Sequence, residues 1–239
     1  MKPLFILTSA LNTKFGVYNT EQRMAQTIDS VNSIKKYCPE AKIAIIEMAG
    51  TPPTEDQLKT FYLHTNYVFN YSLDENVQTI YHSTENWDIV KNTTEVMVFA
   101  NALEAIIAQG EIAKFDRIFK MSGRYQLTER FDPAYYDSDT VNNSIVVLER
   151  KNSQFPLQVT GGMQYQYMSR LWSWPAGITG NIVEAYNTGL TAMATRIHEG
   201  GYFDIEHMLY AYLPKNLVVE KPHVGLRGLL GPNGVAIED

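Results

Sequence analysis

The sequence predicts an α/β fold with a mostly parallel central sheet and helices on both faces. Three observations predict it: short runs that are apolar at every position, amphipathic segments between them, and regular alternation of the two through the first half. A strand covered on both faces has no polar side, so a continuously apolar run reads as a buried parallel strand. Strand–helix repetition then joins parallel neighbours by crossovers that cover the sheet above and below.

Leu4–Thr8 is the first such strand, followed by a polar loop over Asn12–Asn19. Met24, Thr27, Ile28, Val31, Ile34 and Tyr37 recur at helical steps, and Cys38-Pro39 stops that helix. Ala41–Met48 is a second strand, closed by Gly50 and Pro52-Pro53. A helical stretch over Thr54–Leu63 leads to a third strand, Asn66–Tyr71. Asn92 and Glu95 have the spacing of a capping box, from which an apolar helical face runs to Gly110. Phe115–Met121 is the fourth strand, alternating enough to be partly buried. In the second half, Ser144–Glu149 and Leu157–Thr160 read as strands, and Gly161-Gly162 as a turn. Helices cover Ile182–His198 and Ile205–Leu213, the latter ended by Pro214. No linker, repeat or low-complexity tract divides the chain, so residues 1–239 form one expected domain, with halves 1–125 and 126–239.

Composition narrows the function. Apolar residues make up 45% and charged residues 19%, which is globular rather than disordered. A net charge of -6 without a basic stripe argues against nucleic acid as a partner. No apolar run is long enough to span a bilayer, and Leu4–Ala10 is too short for a secretion signal. The expected location is the cytoplasm, where the three N-glycosylation sequons carry no weight. The single cysteine, Cys38, excludes an internal disulfide and a cysteine-based zinc cluster. Phosphate cradles of the dinucleotide and P-loop types, the H-E-x-x-H zinc motif and the G-x-S-x-G elbow are all missing.

The first strand ends in Thr8-Ser9-Ala10, and the first helix carries Arg23 and Thr27 in its opening turns. A Lys91–Glu95 helix precedes the fourth strand, which runs into Lys120-Met121-Ser122-Gly123-Arg124-Tyr125. This order resembles the GT-A glycosyltransferases, and the last stretch resembles a K-x-S-G-R-Y segment of some viral and bacterial glycosyltransferase-like proteins. The resemblance covers most of the chain. It implies a nucleotide-sugar donor, a glycan or other acceptor, and a role in polysaccharide synthesis.

The chain departs from the pattern where such enzymes place a D-x-D metal motif: Ser122-Gly123-Arg124 stands there. No metal ligand is assigned, and a divalent cation, manganese or magnesium, is disfavoured. A diphosphate leaving group still needs positive charge, which a two-pronged guanidinium supplies. The donor-binding residues implied are Thr8, Ser9, Arg23, Lys91, Ser122, Gly123 and Arg124, with His223 or Arg227 closing from the C-terminal tail. Gly123 would let phosphate oxygens approach the backbone. The alternatives are an ion pair for Arg124 and a frayed tail. A literal D-x-D at Asp137-Ser138-Asp139 follows a turn and reads as a solvated loop. Asp204 and Glu206 are the candidate catalytic bases, although both also suit the N-cap and first turn of the helix they open. Trp172 and Trp174 are candidates for stacking on acceptor sugars, or for core packing. The competing reading is a non-catalytic nucleotide- or glycan-binding module of the same fold, and a third is an assembly protein with no small-molecule site.

Overall fold

A computed structural model describes residues 1–231 and 233–239. Strands β1 (Pro3–Ser9), β2 (Lys42–Glu47), β3 (Tyr67–Asn70) and β4 (Arg117–Ser122) run parallel, with β1 between β2 and β4. Helices α1 (Thr20–Tyr37), α2 (Glu55–His64), α3 (Glu75–Ser83) and α4 (Trp87–Ala108) make the connections. The later chain adds β5 (Tyr125–Leu127), α5 (Pro133–Asp137), β6 (Ile145–Leu148), β7 (Lys151–Asn152), α6 (Leu157–Thr160), β8 (Tyr165–Gln166) and β9 (Leu171–Pro175). It ends with α7 (Thr179–His198), α8 (Ile205–Tyr212), β10 (Val218–Lys221), β11 (Leu226–Leu229) and β12 (Ala236–Glu238).

The main sheet has seven strands in the order β10-β6-β9-β4-β1-β2-β3, and only β9 runs against its neighbours β4 and β6. A smaller sheet, β12-β11-β5, lies beside it, and β7 pairs with β8. Alternate residues of β1 serve opposite cores, which is why the strand has no polar side. Leu4 and Ile6 pack with α4, α7 and α8, while Phe5 and Leu7 pack with α1, α2, α5 and the small sheet. Phe5 stacks on Phe119 of β4 at 4.4 Å. The expected fold class is therefore the one formed.

The structure departs from the local readings at several points, each for a physical reason. The capping box does not lie at Asn92. Helix α4 starts a turn and a half earlier, where the Asn86 side chain accepts from Asp88 N at 3.1 Å. Asn92 instead sits inside the helix, donating to Tyr202 Oη at 2.7 Å and accepting from Ile205 N. An i,i+3 pair fits a helix interior as well as a helix start. Capping boxes do form at Asn19/Gln22 and Thr54/Gln57.

Leu157–Thr160 is a single helical turn rather than a strand, closed by Gly161 in the left-handed region at φ 70°. A four-residue apolar run does not distinguish the two by itself. The helix α3 carries too short an apolar pattern to stand out in the sequence. Finally, the tail is ordered: β11 pairs with both β5 and β12, and the Asp239 carboxylate accepts from Gly225 N and Leu226 N, each at 2.9 Å. The strand over Arg117–Ser122 is also more deeply covered than its alternation suggests, because Arg117 and Lys120 are themselves buried.

Candidate functional site

The order of the main sheet reverses between β1 and β4: the chain steps outward through β2 and β3, then returns to the other side of β1. At such a point the loops leaving neighbouring strands diverge, opening a crevice at their carboxyl ends. A cavity of about 480 Å³ lies there. Thr8 and Ser9 end β1, Met48–Gly50 follow β2, and Ser122–Arg124 turn from β4 to β5. The loop 13–17, Tyr81 of α3, the first two turns of α4 and Gly231 complete the wall.

Two buried carboxylates set its shape. Glu47, at the end of β2, is fully buried and accepts from Ser9 Oγ at 2.6 Å, Leu11 N at 3.1 Å and Ala49 N at 3.0 Å. It ties the segments leaving β1 and β2 together. Burial pushes its carboxyl up, and those hydrogen bonds only partly oppose the shift. Glu95 of α4 forms the floor. Its Oε1 meets Lys120 Nζ at 2.6 Å and accepts from Thr8 Oγ1 at 3.0 Å. Burial alone would raise Glu95, but the Lys120 and Lys91 charges and those hydrogen bonds outweigh it and hold the group at about 2. Lys120 also reaches Ser169 O at 2.9 Å and Ser122 Oγ at 3.2 Å.

Positive charge gathers at the turn after β4 and at the start of α4. Arg124 has no ion-pair partner among the described residues, and its Nε is buried without a hydrogen bond. The ion-pair alternative for it is absent there. Gly231 lies against the guanidinium so closely that a Cβ at that position would overlap Nη1. Lys91 projects from α4 into the same cavity, also without an ion-pair partner among the described residues. Arg23 lines the cavity but is occupied: Nη2 donates to Phe15 O at 2.8 Å and Nε to Tyr18 O at 3.2 Å, bracing the loop 13–17. Burial and the nearby Arg124 charge lower its guanidinium.

The remaining wall is aromatic. Phe15 meets Tyr81 edge-to-face at 6.2 Å, Tyr81 packs so closely on Gly50 that a Cβ there would overlap it, and Trp87 also lines the cavity, 38% exposed.

Seven of the nine expected donor-side residues thus line one cavity: Thr8, Ser9, Arg23, Lys91, Ser122, Gly123 and Arg124. Gly123 also has a packing reason. A Cβ there would press on Thr27 Oγ1 and Thr8 O at 3.2 Å, so the glycine serves close packing of the turn on α1 and β1. His223 and Arg227 do not line the cavity. Arg227 lies on β11, reaching Gln126 at 3.3 Å, and the His223 carbonyl accepts from Lys221 Nζ. The tail reaches the cavity through Gly231 instead.

Trp172 and Trp174 are buried, at 1% and 0% exposure, and pack on each other at 4.6 Å within the α4–α7 core. They have no face left for a sugar, so the expected acceptor contact is corrected to core packing. Asp204 caps α8, accepting from His207 N at 3.0 Å and contacting His207 Nδ1 at 2.6 Å. Burial opposes its ionisation, but the His207 hydrogen bonds and charge prevail and lower it. Asp204 is therefore a capping residue rather than a free base. Glu206 accepts from Ser169 Oγ at 2.5 Å, and burial, then the Asp204 charge, push its carboxyl up. It stays outside the cavity wall, joined to it through Ser169, Lys120 and Glu95. Asp137 pairs with the N-terminal amine at 3.1 Å, by the start of β1, at the opposite end of the sheet from the cavity. Among the described residues no three His, Cys, Asp or Glu side chains group to hold an ion. At the end of β4 a serine, a glycine and an arginine offer no carboxylate to a divalent cation.

Thr94 and Gly231 escaped the sequence reading, while Glu95 was read as a cap residue of the Lys91–Glu95 helix and Lys120 as the first residue of the K-x-S-G-R-Y stretch, neither with its partner. The i, i+3, i+4 spacing of Lys91, Thr94 and Glu95 is the signal that places them on one helix face. Nothing in the sequence brings Gly231 to Arg124.

No protein-family model matches the chain, and no curated protein matches it in sequence. Solved structures do. The galactosyltransferase LgtC, in complex with donor and acceptor sugar analogues, aligns with a TM-score of 0.52 and 10% identity over 92% of this chain and 73% of that one. An active-site mutant of LgtC gives 0.50 and 10% over 92% and 72%. Core-mannan synthase A of Aspergillus fumigatus, in an Mn/GDP form, gives 0.47 and 9% over 91% and 72%. The architecture is thus that of the GT-A glycosyltransferases. No helix among the described residues is long and apolar enough to cross a membrane.

Proposed function

Starting from a GT-A architecture with a cationic cavity at its switch point, we propose that the chain is a glycosyltransferase using a nucleotide-diphosphate-sugar donor. The observation that carries this reading is Arg124: a cavity-lining guanidinium that has, among the described residues, neither an ion pair nor a partner for its buried Nε. A buried donor left unsatisfied costs stability, and an anion arriving in the cavity would relieve it. Lys91 supplies a second charge from the facing helix. Together they stabilise the diphosphate as it leaves with the electrons of its bond to the anomeric carbon. The acceptor hydroxyl oxygen takes that carbon, and its proton goes to a base. Of the two expected bases, Glu206 has the raised carboxyl but is held by Ser169 outside the cavity wall, and Asp204 is engaged with His207, so the proton acceptor is a group brought in on the acceptor side. No step is assigned to a divalent ion, since the end of β4 offers no carboxylate pair to hold one. Residues 1–125 supply the donor side of this single domain, joined there by Gly231 from the tail, and the rest of 126–239 the acceptor side. Polysaccharide synthesis is the setting proposed, and the K-x-S-G-R-Y stretch supplies the donor side's cationic turn.

The test is calorimetric titration of UDP-, GDP-, CMP- and dTDP-sugars, with and without manganese and EDTA, on the natural chain and on Arg124→Ala. Binding that survives EDTA and falls at least about tenfold in the variant is expected. Equal binding by both forms would overturn the role of Arg124, and no binding of any nucleotide would overturn the donor reading. The non-catalytic reading of the same site draws on one observation: neither expected base lines the cavity. Turnover to free nucleoside diphosphate with a glycan acceptor separates the two.

A further inference from the structure

The cavity floor differs chemically from its cationic wall. Thr94 is 5% exposed and lines the cavity, yet its hydroxyl has no hydrogen-bond partner among the described residues. The next residue, Glu95, also lines the cavity. Both contacts to its carboxylate, from Lys120 and Thr8, fall on Oε1, leaving Oε2 without a partner among the described residues. A helix places consecutive side chains about 100° apart, so Thr94 and Glu95 flank one strip of floor, with Lys91 a turn before them.

An anion would be repelled by the Glu95 carboxylate, whose charge the buried Lys120 sustains. A water-like neutral group would not. A hydroxyl of the ligand donates to Oε2 as a charge-assisted bond, and a neighbouring hydroxyl exchanges a bond with Thr94 Oγ1. The need is for a neutral, multiply hydroxylated ring next to an anionic group, and a glycosyl ring attached to a diphosphate has that pattern.

We propose that Thr94 and Glu95 form a hydroxyl-reading subsite that selects the sugar of the donor, next to the Arg124 and Lys91 charges that hold its diphosphate. This deepens the donor reading and rests on it. The subsite favours sugars that keep a free hydroxyl donor at the ring positions facing α4 and discriminates against their deoxy counterparts. A site built to bond a hydroxyl leaves its own polar groups unpaired when that hydroxyl is missing. Glu95 acts here as a binding group. Lys120, behind it, is a positioning residue that touches no ligand.

The experiment compares the natural chain with Thr94→Val, which keeps shape and burial while removing the hydroxyl. The probes are UDP-glucose, UDP-galactose and GDP-mannose, each against free UDP or GDP, followed by deoxy-sugar forms of whichever donor binds. The variant is expected to lose about tenfold in affinity for the sugar nucleotide while binding the free diphosphate within about twofold of the natural chain. Its melting temperature should hold or rise, because an unpaired buried hydroxyl has been removed. At least one ring-deoxy donor should show a matching loss on the natural chain and little further loss on the variant. Equal affinity of the two forms for the sugar nucleotide overturns the subsite and leaves the nucleotide reading intact. An equal drop for sugar nucleotide and free diphosphate overturns it as well, because the effect would then not be on the sugar. Failure of every nucleotide to bind the natural chain overturns the donor reading, and this inference with it.

Discussion

Replacing Lys120 with methionine tests the account of the cavity floor most directly. Lys120 is fully buried, and its Nζ is within reach of Glu95, Ser169 O and Ser122 Oγ at 2.6, 2.9 and 3.2 Å. Methionine fills similar space without a charge. The variant then holds a Glu95 carboxylate in the interior with Thr8 as its remaining hydrogen-bond donor. Removing one partner of a buried pair typically costs about 3–5 kcal/mol. Lys91 also favours the Glu95 charge, so the lower end applies, about 3 kcal/mol. For a chain of this length that is a fall in melting temperature of roughly 6–12 °C.

The pH dependence is the sharper part. In the natural chain Glu95 is depressed to about 2, so its contribution is fully present above the ordinary carboxylate value of about 4.3 and is lost as pH falls through about 2. It is constant between about pH 5 and 8. Without Lys120, burial dominates and raises the Glu95 carboxyl above its unfolded value. Stability is then whole below the unfolded value and lost as pH rises through the raised one. Urea denaturation at about pH 5 and pH 8 should show the deficit growing with pH. A deficit under about 1 kcal/mol that is the same at both would refute the reasoning, since it would mean that Glu95 is not an interior charge held by Lys120.

Glu206→Gln should act in the opposite sense. The raised Glu206 carboxyl costs stability as pH climbs past the usual carboxylate range, so the amide should stabilise the fold at pH 8 and make little difference at pH 4, read by thermal melts. Gly189→Ala on α7 gains about 1 kcal/mol of helix propensity, yet its Cβ would run into the buried Met208 side chain. Overpacking of that kind costs about 1–3 kcal/mol, so chemical denaturation should show no gain and a net loss. Gly231→Val would press on the Arg124 guanidinium, and calorimetry should find nucleotide affinity reduced with the melting temperature nearly kept. Trp174→Ala should lower stability by about 3–5 kcal/mol, seen in denaturant melts, because the ring is wholly inside and its Nε1 donates to Thr179 at 3.1 Å.

How far the sequence reached is visible in particular residues. Leu4–Thr8 and Ala41–Met48 were readable as strands because burial on both faces removes every polar side chain from the run. Ser9, Ser122 and Arg124 were readable as neighbours because parallel strands must place their carboxyl ends on one edge. The errors came where short patterns admit two structures, as in Asn92-x-x-Glu95 and Leu157–Thr160, or where a residue type serves two ends, as with Trp172 and Trp174.

The sequence by itself determined the α/β architecture and the edge of the sheet where a ligand would sit. Both follow from local periodicity and from the constraint that parallel strands share a direction. Only the tertiary structure decided which groups face the cavity. Lys120 pairs with Glu95, Asp204 with His207 and Asp137 with the N-terminal amine, while Arg124 and Thr94 are left with unpaired polar atoms. Partner choice among charges and hydroxyls depends on distances across elements far apart in the chain, and no spacing within one element encodes it.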